Sequence, residues 1–133
     1  MKLDLYGWFP EENKEILSSL IKEHNIKGVI EIGCFLGKST AFFVSQGCRV
    51  FTIDTFEGSK DLNCSTEVKR RLPTLYEQFV FNMKELGIDK EVVWFKGTSE
   101  EASKRDIHAD LIFKHLIHPS RHKGIHKDDS NNA

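Results

Sequence analysis

One short stretch, VIEIGCFLGKST at residues 29–40, constrains the fold of this 133-residue chain more than any other. It begins with β-branched apolar residues typical of a buried strand, and Gly33 ends that run. Gly37 then opens a second apolar run, through residues 41–44, whose spacing indicates a helix. The stretch therefore predicts a strand, a glycine-bracketed turn and a helix whose unpaired N-terminal N–H groups lie over the carboxyl end of the strand. A carboxylate, phosphate or ribose group can bind at such a place.

The turn differs from two common nucleotide-binding patterns. In the phosphate loop, G-x-x-x-x-G-K-[ST], the glycines stand one residue further apart than here, although Lys38 and Ser39 follow as they should. The dinucleotide pattern G-x-G-x-x-G also fails, because Phe35 stands where its second glycine lets a pyrophosphate approach. What remains is E-x-G-x-x-x-G, with Glu31 placed two residues before Gly33.

A carboxylate follows at the end of the next apolar run. Asp54 lies 21 residues after Gly33 and directly follows the run 50–53. A carboxylate there can accept hydrogen bonds from both hydroxyls of a ribose, and nucleoside-binding α/β folds place an acid about 20 residues after the turn for this reason. The spacing therefore predicts that Asp54 lies beside the turn.

Together, the segments EIGCFLGKST and VFTIDTFEGS resemble the first motifs of class I S-adenosylmethionine-dependent methyltransferases. Within that class they look most like the small-molecule O-methyltransferases, including the macrocin-type and catechol-type branches. The resemblance runs from about Lys27 to Phe113. It implies an α/β fold with a Rossmann-like, doubly wound, mostly parallel sheet, S-adenosylmethionine as cofactor, methyltransferase activity and a small-molecule acceptor.

The resemblance also implies cofactor-binding residues in the turn, at the tip of the second strand and after the third: Glu31, Gly33, Phe35, Gly37, Ser39, Asp54, Thr98 and Ser99. The two glycines would permit close approach of the methionine portion, with Ser39 near its carboxylate and Glu31 by its amino group. Asp54 would bind the ribose, and Thr98 or Ser99 would lie beside the adenine. Each residue also has a purely structural interpretation: the glycines as turn residues, Ser39 in a first helical turn, Glu31 as a strand-end charge and the last two hydroxyls as helix caps.

Apolar periodicity divides the chain into alternating helices and strands. We predict helices at residues 10–24, 37–46 and 73–86, a short helix after a Thr98–Glu101 capping box, and strands at 28–32, 49–53, 92–95 and 109–113. This alternation favours right-handed crossovers in a sheet of about four parallel strands, preceded by an N-terminal helix. For the polar connection 55–72 we predict an irregular loop or lid, in which Phe56 contacts the adenine or serves as a buried anchor.

The resemblance stops after the fourth strand. We therefore divide the chain into a partial Rossmann-like domain at 1–113 and a polar, histidine-rich tail at 114–133 that is irregular or disordered. In related enzymes the fourth strand ends in an acid, which in metal-dependent branches binds a divalent cation. Because Lys114 and His115 stand there, we assign no metal site and no catalytic residue, and metal dependence stays open. The histidines 115, 118, 122 and 126 favour a solvated tail over a metal cluster, and a truncated or frame-disrupted gene would also explain the change in composition.

Three functions stay open at this point. The first is an S-adenosylmethionine-dependent methyltransferase acting on a small-molecule acceptor. The second is an ATP–magnesium binder, in which GKS forms a shortened phosphate loop and Asp54 holds the magnesium. The third is a non-catalytic methyltransferase remnant that binds nothing and persists as a fragment or as a partner-dependent subunit.

Composition narrows the choice of partners. A net charge of −1 and a pI near 6.6 argue against nucleic acid, because no field of one sign would steer a polyanion to the surface. No apolar run approaches the roughly 18 residues of a membrane span, and the N-terminus lacks a signal-peptide core, so we predict a cytoplasmic protein with no membrane partner. The three cysteines lack a C-x-x-C spacing and are expected to be reduced thiols. Exposed sheet edges and apolar faces would favour a homo-oligomer.

Overall fold

Helices and strands alternate through residues 1–58 and 64–115, which are the residues that the computed structural model describes. The helices are α1 (Glu11–Glu23), α2 (Lys38–Ser45), α3 (Thr66–Arg71), α4 (Leu75–Glu85) and α5 (Ser99–Ala102), and a single 3₁₀ turn (Leu72–Thr74) joins α3 to α4. The strands are β1 (Gly28–Ile32), β2 (Arg49–Asp54), β3 (Val92–Lys96) and β4 (Leu111–Lys114). The α/β fold with an N-terminal helix, predicted above, is confirmed.

The four strands form one parallel sheet in the order β3-β2-β1-β4. From β1 the chain steps twice in one direction, to β2 and then to β3, before it returns to the far side of β1 as β4. Right-handed crossovers place connections that run in opposite directions on opposite faces of a sheet. The point where the direction reverses lies between β1 and β4, and ligands of open α/β sheets bind in the crevice at the carboxyl ends of the strands at such a point.

The hydrophobic core lies on one face of the sheet. Val29, Val50 and Val92 stand side by side on adjacent strands and are buried in a single apolar cluster. Phe43 of α2 and Phe79 of α4 pack into the same cluster and are fully buried. Burying one such side chain contributes about 1.5–3 kcal/mol, so this face holds most of the hydrophobic stabilisation.

The structure differs from the sequence-based predictions in two segments, besides shifts of one or two residues at the ends of other elements. The connection 55–72 is not wholly irregular, because it contains α3, whose N-terminus is capped by the Ser65 hydroxyl accepting from the N–H of Val68. No residue of α3 is buried, so apolar periodicity could not reveal it. The fourth strand includes Lys114, which was placed in the tail. The rest of the predicted tail, with His118, His122 and His126, lies outside the described residues.

No helix within the described ranges has the length and apolarity that crossing a membrane requires.

Candidate functional site

The turn between β1 and α2 has a left-handed backbone at three positions. Gly33 and Gly37 have φ angles of +88° and +97°, and Phe35 between them has +52°. The N–H of Gly33 donates to the carbonyl of Ile53 on β2 at 2.7 Å, and the N–H of Gly37 donates back to the carbonyl of Cys34 at 2.8 Å. Positive φ angles explain why glycine stands at both ends of the turn, since a Cβ there would be strained.

The Asp54 carboxylate lies directly against this turn. Its Oδ2 atom accepts hydrogen bonds from the N–H groups of Cys34 and Phe35, each at 2.9 Å, and its Oδ1 atom accepts from the N–H of Phe56 at 2.9 Å. Asp54 is partly buried, at the carboxyl end of β2. The turn and the acid therefore meet at one edge of the sheet, beside the reversal point between β1 and β4.

Glu31 lies beneath the turn, with its side chain completely buried. Ser39 donates its hydroxyl to Glu31 Oε2, and the Thr40 hydroxyl donates to Oε1 at 2.5 Å. Burial raises the pKa of Glu31, and the hydroxyls of Ser39 and Thr40 offset part of that rise. The carboxyl group thus ties β1 to the first turn of α2. The predicted contacts of Glu31 and Ser39 with a ligand stay predictions.

Gly37 is packed against α4. A Cβ built on Gly37 would lie 2.4 Å from Met83 Cε and 3.3 Å from Phe79 Cε1. Both of those side chains are completely buried. The lack of a side chain at Gly37 is therefore explained by the close approach of the turn to α4. At Gly33 the corresponding Cβ would lie 3.5 Å from the Cβ of His115, an ordinary contact distance.

Asn82 of α4 joins the turn to the N-terminal segment. Its side-chain N–H₂ group donates to the carbonyls of Asp4 at 2.7 Å and Leu36 at 2.9 Å, and its Oδ1 accepts from the N–H of Asp4 at 3.1 Å. Asn82 is completely buried, and its amide fixes the conformation of the turn at Leu36. We did not predict this role, although a lone amide inside the apolar stripe from Phe79 to Met83 is a signal that could have pointed to it.

The N-terminal segment, which precedes α1, crosses the turn between β1 and α2. Arg71 holds it through an ion pair with Asp4, in which Nε lies 2.7 Å from Oδ2, and the Arg71 guanidinium stacks over the ring of Tyr6 at 4.2 Å. Further along, the Lys38 ammonium donates to the carbonyl of Gly7 at 3.2 Å. Lys38 is thus turned towards this segment, whereas a phosphate loop needs its lysine at the phosphates.

The remaining predicted residues lie at the same edge of the sheet. The Thr98 hydroxyl accepts from the N–H of Glu101 at 3.1 Å, and Glu101 Oε1 accepts from the N–H of Thr98 at 2.8 Å, which confirms the predicted capping box. Ser99 begins α5 directly after it. The N–H of Gly97 donates to the carbonyl of Asp54, so this corner adjoins the acid.

Phe56 follows Asp54 and turns into the core. Its ring is buried and packs against the rings of Tyr76 and Phe79, with centroid distances of 5.0 and 5.2 Å. This packing supports the buried-anchor interpretation of Phe56, and its contact with an adenine stays a prediction.

His115 follows β4 at the reversal point. Its main-chain N–H donates to the carbonyl of Ile32 at 2.9 Å, and its buried side-chain Nδ1 atom has no hydrogen-bond partner among the residues that the structure describes. Burial lowers the pKa of His115, and the nearby charge of Asp54 opposes that change. In residues 1–58 and 64–115, no three His, Cys, Asp or Glu side chains come together as metal ligands would.

Comparison with known proteins gives likeness of structure only. No family model and no curated protein sequence matches the chain. A methyltransferase of Podospora anserina bound to S-adenosylhomocysteine matches with a TM-score of 0.59 and 16% identity, over 95% of this chain and 50% of its own. An O-methyltransferase of Bacillus cereus in complex with S-adenosylhomocysteine has a TM-score of 0.57 and 17% identity, over 86% of this chain and 48% of its own. The O-methyltransferase TomG of Streptomyces achromogenes, in complex with S-adenosylmethionine, has a TM-score of 0.58 and 15% identity, over 95% of this chain and 53% of its own.

The chain therefore spans about half the length of the solved structures that it matches. At these identities the likeness concerns the fold. We conclude that this chain has the Rossmann-like α/β fold of class I S-adenosylmethionine-dependent O-methyltransferases.

Proposed function

We propose that the chain binds S-adenosylmethionine at the carboxyl edge of its sheet, as the cofactor-binding part of a methyltransferase that acts on a small-molecule acceptor. The observation that carries this proposal is the position of the Asp54 carboxylate, whose Oδ2 lies 2.9 Å from the main-chain nitrogen atoms of the glycine turn. Solved proteins of the same fold hold S-adenosylmethionine or S-adenosylhomocysteine, which supports the choice of ligand.

The residues of this edge fit such a ligand. Asp54 would accept hydrogen bonds from the ribose hydroxyls, because each carboxylate oxygen has two lone pairs and Oδ1 accepts only one N–H. Gly37 is the N-cap residue of α2, and no side chain among the described residues caps the helix there. The main-chain N–H groups at this N-terminus would hold the carboxylate of the methionine portion. Thr98 or Ser99 would lie beside the adenine. Buried Glu31 and Ser39 would support the turn from below in addition to their predicted contacts.

When bound, the cofactor supplies an electrophilic methyl group on a sulfonium. The contribution of the protein is to hold the donor in a fixed orientation, and such positioning is worth about 7–11 kcal/mol in well-oriented systems. The turn is suited to this task because it is tied to β2 through Ile53, to α4 through Asn82 and to Asp54. The acceptor, the methylated atom and any divalent metal are not assigned.

Isothermal titration of the purified chain with S-adenosylhomocysteine tests the proposal, with ATP–magnesium titrated in parallel. We expect saturable binding of S-adenosylhomocysteine and none of ATP–magnesium. Circular dichroism on the same sample establishes that the protein is folded. A folded protein that fails to bind S-adenosylhomocysteine, or that binds ATP–magnesium more tightly, would refute the assignment.

A further inference from the structure

The N-terminal segment, residues 1–9, lies over the turn without joining the sheet or a helix. At Gly7 the segment and the turn come close together, since a Cβ built on Gly7 would lie 3.8 Å from Lys38 Cβ and 3.9 Å from Phe35 Cδ2. Lys38 is the first residue of α2, and Phe35 donates its main-chain N–H to Asp54. The segment therefore borders the place where we propose that the methionine portion of the cofactor binds.

Side chains hold this segment in place. Within the described ranges, each hydrogen bond to its main chain comes from a side chain, as at Lys2, Asp4, Tyr6 and Gly7. Its last residue, Phe9, is anchored in the core with 5% of its surface exposed. Segments with few main-chain hydrogen bonds and little buried apolar surface open at a low free-energy cost. Residues 1–8 can therefore detach while the sheet stays intact.

Arg71 makes the charged contacts that hold the segment down. Its Nε donates to Asp4 Oδ2 at 2.7 Å, and its guanidinium carbon lies 4.2 Å from the centre of the Tyr6 ring. The Arg71 side chain is 14% exposed and that of Asp4 is 31% exposed. A charge-assisted hydrogen bond with this little access to water is stronger than an ion pair in solvent. The Asp4 carboxylate also shapes the segment, because Oδ1 accepts from the N–H of Tyr6 at 3.2 Å.

The residue after Arg71 contacts the loop that follows Asp54. Leu72 packs against this loop at Gly58, where a built Cβ would lie 2.4 Å from Leu72 Cδ2. We propose above that the Asp54 carboxylate binds the ribose. Two adjacent residues, Arg71 and Leu72, thus connect the N-terminal segment to the loop of the ribose-binding acid.

We propose that the N-terminal segment closes over the bound cofactor and that Arg71 is the positioning residue that holds it closed. The inference rests on the proposed function and adds to it, because Arg71 acts through Asp4 and Tyr6 and does not itself contact the cofactor. The cofactor leaves when residues 1–8 detach, so the Arg71–Asp4 contact sets how long it stays bound. By linkage, the bound cofactor stabilises the closed segment as much as closure strengthens binding.

Hydrogen exchange at the main-chain N–H of Asp4 measures the opening of the segment without a ligand. This N–H donates to Asn82 Oδ1 and not to Arg71, so it reports detachment of the segment. In the wild type it should exchange far faster than the N–H of Val50, which donates to the carbonyl of Glu91 in the sheet. We expect exchange at Asp4 to become about three- to tenfold faster in Arg71→Gln, and to become slower when S-adenosylhomocysteine saturates the wild type.

Surface plasmon resonance on the chain, tethered through its C-terminus, measures the dissociation rate of S-adenosylhomocysteine. Arg71→Gln and Asp4→Asn should each raise this rate about three- to tenfold. The double variant should raise it no further than either single variant, because both changes remove the same contact. Arg71→Lys keeps the charge and should restore part of the slow dissociation. Circular dichroism establishes that each variant is folded.

The matched control is Glu67→Gln. Glu67 Oε1 is the second ion-pair partner of Arg71, 2.7 Å from Nη1, and its replacement leaves the contact with Asp4 in place. We expect the dissociation rate of this variant to equal that of the wild type.

Three results would overturn the inference. One is a chain that releases S-adenosylhomocysteine at the same rate in Arg71→Gln and in the wild type. The second is a Glu67→Gln variant that releases it as fast as Arg71→Gln, since Arg71 would then act on α3 alone. The third is exchange at Asp4 that Arg71→Gln leaves unchanged, whether or not the ligand binds. A folded wild type that binds no S-adenosylhomocysteine would refute the proposed function and closure over a cofactor, while exchange at Asp4 still decides whether Arg71 holds the segment.

Discussion

Asp54 holds Phe35 in its left-handed conformation through a hydrogen bond from the Phe35 N–H to Oδ2 at 2.9 Å. The side chain that we propose to bind the ribose is therefore already oriented by the turn that we propose to bind the methionine portion. Such an arrangement lowers the cost of binding, because the carboxylate loses little further conformational freedom when a ligand arrives.

Replacing Asp54 separates binding from folding. Asp54→Asn keeps an oxygen acceptor for part of the turn but loses the charge, so we expect the affinity for S-adenosylhomocysteine to fall at least about tenfold, or about 1.4 kcal/mol. Calorimetry measures the affinity, and thermal melting of the same samples measures stability. Asp106→Asn is the control, since Asp106 is 92% exposed and, among the described residues, pairs with His108 alone. Equal affinities for Asp54→Asn and the wild type would remove Asp54 from the site.

Gly37 and Gly47 offer a matched pair for testing the packing of the turn. Both have left-handed backbones, but a Cβ on Gly37 would lie 2.4 Å from Met83 Cε, whereas a Cβ on Gly47 would have no described atom within 4 Å. We expect Gly47→Ala to cost about 1–2 kcal/mol of unfolding free energy from the backbone alone. Gly37→Ala should cost about 2–4 kcal/mol, because overpacking adds to the strain. Urea unfolding measures both, and equal costs would contradict the close approach of the turn to α4.

Asn82→Leu should destabilise the protein by about 2–4 kcal/mol. The substitution keeps the volume close but removes the partner of the buried Leu36 carbonyl and of the half-buried main-chain groups of Asp4. Hydrogen exchange at the N–H of Gly37, which closes the turn, should become faster in this variant. The neighbouring Gln78→Ala, whose bonds to Lys2 and Asn82 are more exposed, should cost about 1 kcal/mol or less. If Gln78→Ala cost as much as Asn82→Leu, Asn82 would have no special role.

Glu31 gives the stability of the fold a distinctive dependence on pH. Burial raises the pKa of Glu31, so the folded protein holds this proton at pH values where the unfolded chain has released it. The resulting contribution to stability is complete below the ordinary carboxyl pKa and falls as pH rises towards the raised value. Glu31→Gln should remove this fall, because an amide keeps hydrogen bonds to Ser39 and Thr40 without a charge.

Urea unfolding of the wild type and Glu31→Gln, in the same buffers across the acidic and neutral range, measures this effect. The paired comparison is needed because burial lowers the pKa of His115, which favours folding at higher pH and opposes the Glu31 effect. Glu101→Gln is a control of opposite sign, since its hydrogen bonds with Thr98 lower the pKa of Glu101 and that stabilisation is lost as pH falls. Parallel stability curves for the wild type and Glu31→Gln would exclude a titrating Glu31.

The site could be predicted where it depends on residues close in sequence. The strand, the glycine turn and the helix after it follow from local spacing, and the approach of Asp54 to the turn follows from the parallel pairing of β1 with β2. The N-terminal segment could not be predicted, because Asp4 is held by Asn82 and Arg71, which lie 78 and 67 positions away. Neither contact leaves a periodic pattern in the sequence. The exposed helix α3 was not predicted because none of its residues is buried, so it leaves no apolar periodicity in the sequence either.

The pairing of β4 with β1 also has a consequence for how the chain acquires its fold. The Asp110 carboxylate accepts from the N–H of Lys27, 83 positions earlier, so the sheet is completed by one of its longest-range contacts. Such contacts form slowly, because the entropy of closing a long loop must be overcome first. During synthesis on the ribosome, we expect β1 to pair with β2 first. The other edge of β1 then has no partner strand until the β4 segment emerges. We therefore expect this nascent intermediate to be the species on which chaperones and proteases act.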